Sequence, residues 1–123
     1  MNQVSINQGC TASEPYALRV IGDSMVPEFN HGNIIIVDPA YPPCNGAFVV
    51  VDLGGEVVLG QFHAENDRTW LKYLNSDHTD LELKPPFDVK GVVIQRSSGR
   101  KKSIKHYDYN VWMRPYSRSR GYF

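Results

Sequence analysis

Ser24 is the residue best placed to do chemistry in this chain. It stands in Gly22-Asp23-Ser24-Met25-Val26-Pro27, after an apolar run ending at Ile21 and before a second run, Asn33-Ile34-Ile35-Ile36-Val37. A serine presented on a tight turn suits nucleophilic attack, but its hydroxyl is a weak nucleophile until a base within hydrogen-bond reach takes its proton. The same placement suits a serine that merely caps a short helix. The base is therefore the deciding question. His31, His63, His78 and His106 show no metal-ligand spacing with Cys10 or Cys44 and read as surface or loop residues, so no metal or other cofactor is expected. The two cysteines make no disulfide framework, and free thiols in a cytoplasmic protein are the expectation.

The elements that must position Ser24 read as short strands. Tyr16 to Ile21 is a strand ending at Gly22, and residues 25–29 have room for one helical turn, with Pro27 tolerated at its start. Asn33 to Val37 is β-branched and fully apolar, the pattern of a buried strand. Ala47 to Leu53 and Glu56 to Phe62 flank Gly54-Gly55, a two-residue hairpin signal, because primed turns need positive φ. Thr69 to Leu74 follows Glu65-Asn66-Asp67-Arg68, and Val89 to Arg96 follows the break at Pro85-Pro86. No amphipathic helix longer than about two turns is visible. Many short strands with frequent turn signals predict a mostly-β domain, closed or half-closed.

At 123 residues with 41% hydrophobic content the chain has material for one domain. No apolar run approaches the ~20 residues that span a bilayer, the start has no signal-peptide pattern, and no membrane partner is expected. The formal net charge of zero hides an asymmetry. From Lys90 onward there are nine basic residues against the single acid Asp108, whereas the first 89 residues carry four basic and twelve acidic side chains. That division concerns partners rather than fold.

The Ser24 motif, followed by Gly32-Asn33-Ile34-Ile35-Ile36-Val37, resembles the LexA/UmuD/phage-repressor family of Ser-Lys self-cleaving peptidases. Asn45-Gly46-Ala47-Phe48, Glu56-Val57-Val58-Leu59-Gly60-Gln61-Phe62, Trp70-Leu71-Lys72-Tyr73-Leu74-Asn75 and Val89-Lys90-Gly91-Val92-Val93-Ile94 are similar to later landmarks of that family, in the same order, across residues 16–96. The resemblance implies a LexA/signal-peptidase-like fold, a twisted, partly closed β-sheet with one short helical turn. It also implies Ser24 as nucleophile, shaped by Gly22, Asp23, Met25 and Pro27, and a buried neutral lysine as base, since desolvation lowers a lysine pKa.

The residue at the lysine position is Gly60, which offers no amine. On an extended strand Gly60 shares its face with Val58 and Phe62, so Gln61 and His63 point the other way. Lys72 matches a non-catalytic lysine of the family and Lys84 adjoins the Pro85-Pro86 loop. The Ala-Gly or Cys-Gly bond that such proteins cleave has no counterpart, only Gly9-Cys10 in reverse order. The expectation is a catalytically impaired domain. An active peptidase with an unrecognised base is the alternative.

The expected organisation is a flexible arm over 1–14, the LexA-like domain over 15–96, and a basic, aromatic extension over 97–123. Twenty-three residues before Ser24 cannot hold the helix-turn-helix that repressors of this family carry. A piece of a longer regulator or a standalone UmuD-like domain is then expected, with Met1 tilting towards the second. In the extension, Arg100, Lys101, Lys102, Trp112 and Arg114 could contact nucleic acid, with aromatics stacking on bases. Equally, its aromatics could dock on the body while its cations meet the acidic remainder, in one chain or across a dimer. The partners expected from the resemblance are a second copy of the chain and a recombinase filament or DNA polymerase. DNA would be met only through a separate domain or the basic tail.

Overall fold

Short β-branched runs joined by turns build the sheet of this molecule. The computed structural model describes residues 14–98 and 103–109. Among these residues eight strands form: β1 (Tyr16–Arg19), β2 (Ile34–Asp38), β3 (Phe48–Asp52), β4 (Val57–Glu65), β5 (Arg68–Lys72), β6 (Leu81–Leu83), β7 (Asp88–Ser97) and β8 (Lys105–His106). They make one antiparallel sheet in the order β1-β2-β7-β3-β4-β5-β6, with β8 added to β7. The expectation of a mostly-β domain holds. The path runs from β1 to β6 without a pairing that closes it.

The β3–β4 hairpin turns at Gly54 and Gly55 with φ of 79° and 107°, and Leu53 N–H donates to the Glu56 carbonyl at 2.8 Å. The β4–β5 hairpin turns at Asn66 and Asp67 with φ of 52° and 69°, a region these two residue types tolerate better than most. Residues 25–29 form a single hydrogen-bonded turn, Phe29 N–H to the Met25 carbonyl at 2.9 Å.

β7 joins the two halves. One edge pairs with β2 from Val92 to Ser97, and the other pairs with β3 from Asp88 to Val92 and then with β8 at Gln95 and Arg96. Register shifts fall at Ile36/Val37 and Val50/Val51, on either side of Gly91. Gly91 has φ of 154°, and a Cβ there would sit 2.6 Å from Val37 Cγ1, so both backbone and space demand glycine.

β3 is buried along Phe48–Val51 because sheet neighbours flank it and both faces are covered. Around it the core gathers Met25, Phe29, Ile35, Val37, Leu71, Val92, Val93 and Tyr109. Tyr109 comes from the segment expected to extend beyond the domain, yet it is 0% exposed. Tyr107 stacks on Tyr109 with centroids 6.1 Å apart and meets Phe29 and Phe48 at 5.7 and 5.6 Å. The expected docking of tail aromatics on the body thus occurs over residues 103–109. Arg100, Lys101, Lys102, Trp112 and Arg114, like residues 1–13, lie outside the described residues.

Candidate active-site cleft

The chain leaves β1 by a tight return. Val20 N–H donates to the Asn33 carbonyl and Gly32 N–H to the Val20 carbonyl, each at 2.8 Å, so β1 and β2 stay zipped below the turn. Gly22 has φ of 91° with open space where a Cβ would point, so conformation rather than crowding calls for glycine. Its N–H donates to His31 Nδ1 at 2.9 Å. Ser24 follows, with Met25 beneath it at 1% exposure and Phe29 fully buried. Pro27 lies on the exposed side of the turn.

The loop between β5 and β6 holds the other side. Asn75 N–H donates to the Ser24 carbonyl at 3.1 Å, and Asn75 Nδ2 donates to the Asp23 carbonyl at 3.0 Å. His78 Nε2 lies 3.0 Å from Asp23 Oδ1. Asn75 also shapes its own loop, accepting Asp77 N–H on Oδ1 and His78 N–H on its carbonyl, each at 3.0 Å.

These elements enclose an open cleft of about 400 Å³. Leu18, Val20, Ile35, Val50, Val58 and Leu59 line it with apolar side chains, and Ser24, Arg19, Glu56, Tyr73, His78 and Thr79 supply polar ones. Ile21 and Val57, 72% and 50% exposed, also border it. Apolar and polar side chains thus share the cleft wall in similar measure, with the charged Arg19 and Glu56 among the polar ones.

A base for Ser24 is harder to find. Among the described residues the Ser24 hydroxyl forms no hydrogen bond. Gly60 is buried on β4, opposite Val49 of β3. A Cβ built there would lie 2.4 Å from Leu71 Cγ and 2.7 Å from its Cδ1. Leu71, fully buried, fills the space in which any side chain at this position would begin. His63 is engaged with Glu65 at 2.9 Å. Burial, with Glu56 nearby, pushes the Tyr73 phenol above its ordinary value, so Tyr73 enters neutral chemistry protonated. His78 is the one imidazole in the cleft, and its Nε2 is committed to Asp23. No group of three His, Cys, Asp or Glu side chains suited to a metal forms among the described residues.

Residues 2–94 match the Peptidase S24-like family model. The chain belongs to the Peptidase S24-like family. The match takes in both Ser24 and Gly60 and stops within β7, before the docked segment 103–109. The chain is 33% identical to the prophage repressor CohE of Escherichia coli K12 over 94 residues, covering 73% of this chain and 42% of that protein. It is 32% identical over 99 residues to the HTH-type transcriptional regulator for conjugative element SXT of Vibrio cholerae, covering 72% and 42%. It is 32% identical over 65 residues to the LexA repressor of Desulfatibacillum aliphaticivorans, covering 52% and 32%. The chain therefore spans about two-fifths of the length of the first two of these regulators.

Within this S24-like domain, residue patterns single out Ser24 and Gly60 but not the residues that the structure brings beside the Ser24 turn. Asn75 was visible as a landmark without a role, because its bonds reach 52 residues back along the chain. His78 gave no spacing signal, and its link to Asp23 exists only once the loop folds over the turn. Among the described residues, no helix is long and apolar enough to cross a membrane.

Proposed function

We propose that this chain is the regulatory domain of a prophage or mobile-element transcriptional regulator, acting by self-association and peptide binding with its peptidase chemistry impaired. Relatives named as prophage, conjugative-element and LexA repressors support the regulator context. The observation that carries the impairment is the Gly60–Leu71 contact, which leaves neither an amine nor room for one. A serine without a base retains its hydroxyl and its cleft but loses the proton acceptor that makes it attack. Homodimers are the expected working form, and an UmuD-like accessory role with a recombinase or polymerase partner is the variant of this reading.

The test is alkaline incubation of the purified chain, with Ser24→Ala as control, read by mass spectrometry for self-cleavage and for adducts of a serine-directed phosphonate. No Ser24-dependent cleavage and no adduct is the expected result. Sedimentation equilibrium measures the dimer, and a monomer at all accessible concentrations would remove that part.

One observation favours a second reading. His78 shares the cleft with Ser24 and is oriented through Nε2 by Asp23, the logic by which a carboxylate fixes an imidazole base. On that reading a Ser24 adduct forms, and it disappears in His78→Asn.

A further inference from the structure

The Ser24 turn is held from a second direction, and nothing in the nucleophile chemistry accounts for it. Glu28, four residues after Ser24, has a side chain only 23% exposed. One of its oxygens, Oε2, accepts from Lys105 Nζ at 2.7 Å and from the Tyr107 hydroxyl at 2.5 Å, with Arg96 Nη1 at 3.4 Å. Arg96 Nη1 also donates to the Glu28 backbone carbonyl. Lys105 Nζ lies 5.2 Å from the Tyr107 ring centroid, so its charge is shared with the ring face. Three donors from residues 68 to 79 positions away converge on one atom of a short turn.

We infer that Glu28 is a positioning residue through which the C-terminal segment 103–109 sets the geometry of the Ser24 turn, so that the segment's docking and the shape of the cleft are coupled.

The turn has little internal support, with Val26 N–H to the Asp23 carbonyl at 3.3 Å and Phe29 N–H to the Met25 carbonyl at 2.9 Å. Apart from the buried Met25 and Phe29, its placement depends on anchors outside the turn. Asn75 holds the Asp23–Ser24 end and the Glu28 cluster holds the other. The strand bearing Lys105 is only two residues long, supported by Tyr107 N–H to the Ile94 carbonyl at 3.0 Å. Lifting that segment from β7 would strip two of the three donors from Oε2. A half-buried carboxylate left with Arg96 alone would turn towards water and take the turn with it. By linkage, a change that loosens the turn at Ser24 must loosen the segment equally. This inference concerns the position of the turn and holds whether or not Ser24 ever attacks a peptide.

Amide hydrogen exchange of the full chain tests it. Tyr107→Phe keeps the ring and removes one donor, and Lys105→Met keeps the stem and removes another. Each is expected to speed exchange at the amides of Val26, Phe29, Asn75 and His78 by roughly five- to tenfold, with β4 unchanged and Lys105→Arg close to wild type. In the reverse direction, Asn75→Ala is expected to speed exchange at Tyr107. Acceleration confined to residues 103–109, acceleration spread equally into β4, or no response of Tyr107 to Asn75→Ala would each overturn the coupling.

Discussion

The side chain of Leu71 occupies the volume that a side chain on Gly60 would need, with Cγ 2.4 Å from the ideal Cβ position. The absence of a lysine here is thus built into the packing of two strands. Leu71, whose register partner on β4 is Phe62, reaches diagonally into the space beside Gly60.

Gly60→Lys alone is accordingly expected to be overpacked, losing about 1–3 kcal/mol in chemical denaturation and gaining little phosphonate reactivity. Pairing it with Leu71→Ala gives the lysine stem room and is expected to raise Ser24 labelling above either single variant. Equal labelling in a folded double variant would mean that Gly60 is not the base position.

Tyr109 is the largest fully buried side chain among the described residues, and its hydroxyl donates to the Val93 carbonyl at 2.7 Å while accepting from Phe48 N–H at 3.4 Å. Tyr109→Ala should cost about 3–5 kcal/mol and Tyr109→Phe about 1–2 kcal/mol in equilibrium unfolding. Equal losses for the two would show that the hydroxyl, rather than the ring, carries the contribution.

Asn75→Ala removes the amide that donates to the Asp23 carbonyl and the oxygen that accepts Asp77 N–H. About 1 kcal/mol of stability should go for these partly exposed bonds. Asn75→Asp keeps the acceptor but loses the donor, and should fall between wild type and alanine in thermal melts.

Glu28 makes stability depend on pH in the acid range. Burial alone would raise its carboxyl, but hydrogen bonds from Lys105 and Tyr107, with the charges of Lys105 and Arg96, outweigh burial and hold it below its ordinary value. A carboxyl depressed in the folded state contributes stability that is present above its unfolded value and is lost as pH falls through the folded one. Glu28→Gln should therefore narrow the stability gap between neutral and acid solution. An unchanged acid profile in Glu28→Gln would show that other carboxylates set it.

The nucleic-acid reading of the basic extension needs a deletion that starts after Tyr109, because removing all of 97–123 would take Tyr107 and Tyr109 out of the core. Arg96 and Lys105 are already paired with Glu28. If the residues beyond Tyr109 carry phosphate contacts, the truncated chain should lose DNA retention at low salt. Retention equal to the full chain would assign it elsewhere.

Much of this molecule was legible from residue patterns. Gly54-Gly55 announced its hairpin through positive φ, and the β-branched runs of β2 and β3 announced burial. β6 was not legible, since Leu81-Glu82-Leu83 is too short to show alternation against a loop background. The docking of 103–109 was legible only as one of two alternatives, because tyrosines among lysines have the same composition whether they pack on a core or face solvent. Of the cleft, the Ser24 turn could be read locally. Leu71, Asn75, His78 and the Glu28 cluster act across long sequence separations and leave no periodic trace.

The central position of β7 also bears on how the chain acquires its shape. β1–β2 and β3–β6 are two local meanders with no strand pairing between them, and β7 supplies the seam. During synthesis neither meander can be joined to the other until β7, which begins at Asp88, fifty positions after β2 ends at Asp38, has emerged. The closing search is then a long-loop event, slow by comparison with hairpin formation. Until it is complete, the facing edges of β2 and β3 are open templates for another chain. The wait for the seventh strand is therefore a step at which association with another chain competes with folding.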